Sequence, residues 1–173
     1  MYAYCLFCDT MKCREVAEMV ERKLNYRAID PKIVQRKWVR GVAEEQVRAL
    51  LPGYIFVYTD EIVEYPRAAF RLDNVIRLLG EQESNFTLLG DDFTFARMLW
   101  NCGGTIGILK AYQEGDRVKL VPGALGGVEG ENIKLERRKG RALIQYPFAG
   151  TICTTWVGYD LIDDQEKIDL KKE

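Results

Sequence analysis

LPGYIFVY, residues Leu51 to Tyr58, is the stretch around which the rest of the chain is read. Pro52 and Gly53 mark a turn, and an unbroken run of aromatic and β-branched residues follows, which is the strongest strand signal in the sequence. Side chains alternate along a strand, so Tyr54, Phe56 and Tyr58 share one face while Ile55 and Val57 share the other. Upstream, Tyr2 to Phe7 is aromatic and apolar and stops at Cys8-Asp9-Thr10, a buried first strand running into a helix start. The next segment, KCREVAEMVERKL, puts Cys13, Val16, Ala17, Val20 and Leu24 at three- and four-residue spacings, which predicts one amphipathic helix ending near Asn25. Ile33 to Val39 reads as a strand, and Arg40-Gly41 as a turn opening a charged loop that ends near Ala49. Beyond the central strand the pattern predicts a helix starting after Pro66, a strand from Val75 to Leu79, and a helix from Asp91 to Trp100 that stops at Gly103-Gly104.

From Glu114 the character changes. Glycines recur, no helical period is left, and short alternating runs appear at 117–121, 132–136, 142–146 and 151–156, the signature of a small β-barrel. The expected fold class is therefore α+β: an N-terminal antiparallel sheet flanked by helices, then a small C-terminal barrel. The expected division is a first domain over 1–102, a linker over 103–113, a barrel over 114–163 and a charged tail over 164–173. No internal repeat is present in the sequence.

Composition excludes several function classes. The chain of 173 residues carries 25 Lys+Arg against 26 Asp+Glu, a net charge of -1, so no bulk field draws it to nucleic acid or an anionic membrane, and any such binding needs a local patch. It has no histidine, which removes Ser-His and Cys-His nucleophile pairs, histidine bases and histidine-ligated zinc. Five cysteines, an odd number, read as reduced thiols rather than a disulfide framework. Cys5 and Cys8 have the Cys-x-x-Cys spacing, but Cys102 and Cys153 supply no second pair, and Cys5 falls in a strand rather than at a helix start. Structural thiols are the reading, with no metal, cofactor or catalytic residue expected. The opening MYAYCLFCDTMK has no basic segment before its apolar run, and no run approaches a membrane span, so a cytoplasmic protein with no membrane partner is expected.

Two blocks in this order resemble the NusG family of transcription elongation factors. LPGYIFV, Leu51 to Val57, is similar to a strand of that family's N-terminal (NGN) domain, and EGDRVKLVPGALGGVEG, Glu114 to Gly130, resembles the KOW motif that opens its C-terminal SH3-like barrel. The resemblance implies a monomeric, non-enzymatic factor that binds RNA polymerase and modulates pausing, termination or antitermination. It implies that Leu51, Tyr54 and Phe56 form an apolar patch docking on the clamp helices of the polymerase largest subunit; read from the residues alone, these aromatics face a core. It places Lys12, Arg14 and Arg71 where operon-specific relatives face non-template DNA, whereas the residues alone read as ordinary surface cations. Pro122-Gly123-Ala124-Leu125 is closer to the LoaP-type antitermination paralogues than to the housekeeping factor. Nascent RNA, a ribosomal protein or a termination factor are the further partners it implies, the latter two through the KOW domain.

Arg137, Arg138, Lys139 and Arg141 cluster on an expected hairpin tip, a candidate phosphate contact or else a solvated turn. The alternative function is a KOW-containing RNA-binding module of the translation machinery, which the net charge of -1 opposes. A thiol oxidoreductase is opposed by the cysteine placement.

Overall fold

The computed structural model describes residues 1–80, 86–114, 117–121 and 132–162, which form a mixed α+β protein, mostly sheet with few helices. In chain order the strands are β1 (Tyr2–Cys8), β2 (Arg27–Ile29), β3 (Lys32–Val39), β4 (Val42–Ala49), β5 (Tyr54–Thr59), β6 (Val75–Leu78), β7 (Thr105–Ile106), β8 (Leu109–Glu114), β9 (Arg117–Leu120), β10 (Asn132–Glu136), β11 (Arg141–Phe148) and β12 (Thr151–Leu161). The helices are α1 (Cys13–Leu24), α2 (Pro66–Ala69) and α3 (Gly90–Asn101), and among the described residues none is long and apolar enough to cross a membrane. The chain divides into two compact units, Met1–Lys32 with Ala49–Gly104, and Ile33–Arg48 with the chain from Thr105 onward.

The first unit is built on a four-stranded sheet ordered β2-β5-β1-β6. β1 and β5 run antiparallel with Leu6 opposite Ile55 and Phe7 opposite Tyr54, so the alternation in the sequence sorts directly onto two faces. On one face Tyr4, Leu6, Ile55 and Val57 pack against Val16 and Val20 of α1, all essentially buried. Each such side chain taken fully out of water contributes about 1.5–3 kcal/mol. The helix is preceded by a short 3-10 turn capped by the Asp9 carboxylate, which accepts from the Met11 N–H, and it ends at Asn25 in the left-handed region, whose N–H donates to the Glu21 carbonyl. On the other face Phe56 lies 5.8 Å from the Phe95 ring of α3, and the Tyr58 hydroxyl donates to the Ala96 carbonyl at 2.7 Å. The glycine in LPGY is required: Gly53 has φ +89°, and a Cβ there would come within 2.8 Å of the Phe7 ring.

The second unit contains a three-stranded sheet ordered β4-β3-β7 and a five-stranded sheet ordered β10-β11-β12-β8-β9. β11 buries Ala142, Ile144, Tyr146 and Phe148 in strict alternation, and it pairs antiparallel with β12 from Arg141↔Gly158 to Phe148↔Thr151. Three expectations differ from this arrangement, the first being that the segment 33–48, expected inside the first domain, belongs to the second unit. The charged loop expected after Arg40-Gly41 is strand β4. Arg40 (φ +51°) and Gly41 (φ +82°) both sit in the left-handed region, as in the two-residue turn that closes a tight hairpin. The stretch 103–113, expected as a linker, carries β7, which pairs with β3, and most of β8. The central part of the KOW-like block, 122–130, and the expected tail, 164–173, lie outside the described residues.

Candidate functional site

The exposed aromatic patch expected at Leu51, Tyr54 and Phe56 is corrected by burial. Leu51 is 8% exposed and Phe56 is fully buried beneath α3. Tyr54 alone of the three reaches the surface, half-buried, with its ring centroid 5.0 Å from that of Phe7 directly across the sheet. The Arg77 guanidinium lies 5.5 Å from the centre of the Phe7 ring. Phe7 and Tyr54 thus form a half-buried aromatic pair on this face, and sequence reasoning missed Phe7, whose register opposite Tyr54 is set by strand pairing.

The cations expected to face DNA are not brought into one groove. Lys12, just before α1, is paired with Glu15 at 2.7 Å, which raises its pKa, and Arg14 with Glu18 at 2.9 Å within α1. Arg71 instead lines a groove of about 250 Å³ with Arg67, Ile76 and Arg77, to which Lys12 and Arg14 do not contribute.

A larger basic surface lies in the second unit. β3 supplies Arg36, Lys37 and Trp38 to a groove of about 510 Å³, and β4 supplies Gln46 and Arg48. Its other wall is Arg138 and Lys139, from the 3-10 turn at 137–139, and Arg141 at the start of β11. Among the described residues six cations line the groove and no carboxylate does. Three of the four tip residues singled out in the sequence are therefore present, with Arg137 outside the lining. The partners on β3 and β4 were not legible, because the two segments are joined only by the fold.

Neither family models nor curated proteins give a match to this chain.

The walls of the groove are pinned by local pairing. Arg36 lies 2.7 Å from Asp160 and donates to the Tyr159 carbonyl at 3.0 Å, while Gln35 donates to the Trp156 carbonyl at 2.8 Å. The carboxylate of Asp160 raises the Arg36 pKa further, keeping that guanidinium charged. Glu136 accepts from Arg141 at 2.7 Å and sits 3.2 Å from Lys139, and the Arg141 guanidinium holds its carboxyl below the usual range. Arg141 also lies 4.5 Å above the Trp156 ring. The groove is thus a concavity lined by fixed cations, with the Trp38 indole also among its lining residues.

Cys5, Cys8 and Cys13 are buried, with the Cys8 and Cys13 sulfurs 3.5 Å apart. Burial, and then its hydrogen bond with Cys13, push the Cys8 thiol up to about 12. Among the described residues no group of three or more acidic or thiol side chains is placed to hold a metal ion.

Proposed function

We propose that this chain is a non-enzymatic transcription elongation factor of the NusG kind, with an NGN-like first unit and a KOW barrel in the second, acting in the cytoplasm on RNA polymerase. The observation that carries the reading is the basic groove of the second unit, a local concentration of cations on a chain whose net charge is -1. Three further features support it. LPGYIFV leads into β5, interior to a sheet with helices on both faces. β9 and β10, the edges of the five-stranded sheet, approach each other, as a closed barrel needs. Phe7 and Tyr54, half-exposed with Arg77 beside them, offer the aromatic anchors of a docking surface for the polymerase clamp helices. The factor works by binding one polymerase state better than another, which shifts the balance between pausing, termination and readthrough. The Pro122 to Leu125 departure favours a specialised, LoaP-like paralogue.

The test is co-elution of the purified chain with RNA polymerase, followed by pause lifetimes on a defined template. Tyr54→Ala leaves a folded protein and weakens the complex about thirtyfold, the equivalent of an anchor worth about 2 kcal/mol. Failure of the unmodified chain to bind polymerase overturns the proposal, and binding to ribosomal RNA fragments instead would favour the translation-module alternative.

A further inference from the structure

We infer that the groove of the second unit takes a single-stranded nucleic acid, its phosphates on Lys37, Arg48 and Arg138 and one unpaired base on the indole of Trp38. This rests on reading the groove as a nucleic-acid surface and goes on to name what kind of strand enters it.

The cations divide by what already holds them. Arg36 is committed to Asp160 and to the Tyr159 carbonyl, and Arg141 and Lys139 are committed to Glu136. These three keep the walls in place. Lys37, Arg48 and Arg138 line the same groove and form no ion pair among the described residues; Arg48 donates only to the neutral Gln46 amide, at 3.0 Å. They are the groups with charge left for a ligand.

The two indoles of this unit divide in the same way. The Trp156 face is covered by the Arg141 guanidinium. Trp38 is 49% exposed and takes part in no ring or cation–π pair among the described residues. It stands on β3 beside Lys37, near the hairpin turn. Phosphate contacts alone would accept a duplex as readily as a single strand. An open indole changes that balance, because a base inside a duplex has both faces covered by its neighbours, and only an unpaired base can stack on a side chain. Arg36 and Gln35, bonded to backbone carbonyls of β12, tie β3 to that strand and so fix the backbone that carries Lys37 and Trp38.

The experiment measures anisotropy of short labelled strands of one sequence, as RNA, as DNA and as the matching duplex, against the full chain. Either single strand binds at least about tenfold more tightly than the duplex, by the loss of one stacked base. A preference for RNA identifies the transcript as the source, and a preference for DNA identifies a displaced strand. Trp38→Ala weakens single-strand binding about tenfold and leaves duplex binding unchanged. Trp38→Phe keeps most of the affinity but loses the quench of tryptophan fluorescence that the strand produces in the unmodified protein. Neutralising Lys37, Arg48 and Arg138 to Gln lowers the slope of log affinity against log salt by about 2, at roughly 0.7 per phosphate on a single strand. A duplex bound as tightly as the single strands, or a Trp38→Phe variant that keeps the quench, overturns the single-strand assignment. If the triple variant still weakens duplex binding in that case, the nucleic-acid reading of the groove stands without it; if no nucleic acid binds at all, both fall.

Discussion

In the first unit the two faces of β5 each meet a helix, whereas in the second unit the β3–β4 hairpin leaves β4 exposed along nearly its whole length. The same strand geometry serves opposite ends. Ile55, Val57 and Phe56 are placed to be removed from water, and their contribution is stability. Arg48, Gln46 and, across the turn, Lys37 and Trp38 are placed to remain in contact with it. Residues at buried positions should therefore cost folding free energy when truncated, and Lys37, Trp38 and Arg48 of the groove should cost binding and little else.

The largest break in that comparison comes from Phe56→Ala. Removing a fully buried ring packed on Phe95 costs about 3–5 kcal/mol, read as a lower denaturant midpoint for the first unit. A loss near zero would put Phe56 on a surface after all. Gly53→Ala is next. Its left-handed φ and the approach of Phe7 make the cost about 1–3 kcal/mol by the same assay, and Tyr54 should lose its position against Phe7 with it.

Alkaline stability gives a smaller effect of definite sign. The Cys8 thiol is raised to about 12 in the folded chain, so between about pH 9 and pH 12 the unfolded chain sheds a proton that the folded one keeps. That stabilisation is fully present below pH 9 and is lost as pH rises. Near pH 10 Cys8→Ala should have a shallower loss than the unmodified protein by about 1 kcal/mol. Alkylation followed by mass spectrometry should label Cys102 and Cys153 at pH 8 and spare Cys8 while the fold is intact. Smallest of all is the stability effect of Trp38→Ala, within about 0.5 kcal/mol for an exposed position, set against its larger effect on strand binding.

How far the sequence could be read follows the same divide. The α+β class, β1, α1, β5 and α3 were legible because their apolar residues repeat at the period of the element that buries them. β4 was not, because VAEEQVRA shows neither face to a core and so carries no alternation to read. The tip at 137–141 was legible as a charge cluster. Its counterpart on Arg36, Lys37, Trp38 and Arg48 was not, since only side-chain contacts made in the folded chain, Gln35 to Trp156 and Arg36 to Tyr159 and Asp160, tie that hairpin to the later strands. For Leu51 and Phe56 the residues taken alone point to a core, and the core is where they are. The missed anchor, Phe7, needed the register of β1 on β5.

The proposed contact with nucleic acid runs through the groove of the second unit. Its most direct test is a nitrogen-15 correlation spectrum of the labelled full chain, titrated with a short single strand. The Trp38 indole N–H should shift together with the backbone amides of Arg138 to Arg141, while those of Lys12, Arg14 and Arg71 stay in place. Shifts confined to Lys12, Arg14 and Arg71, with Trp38 and the 138–141 amides unmoved, would contradict it.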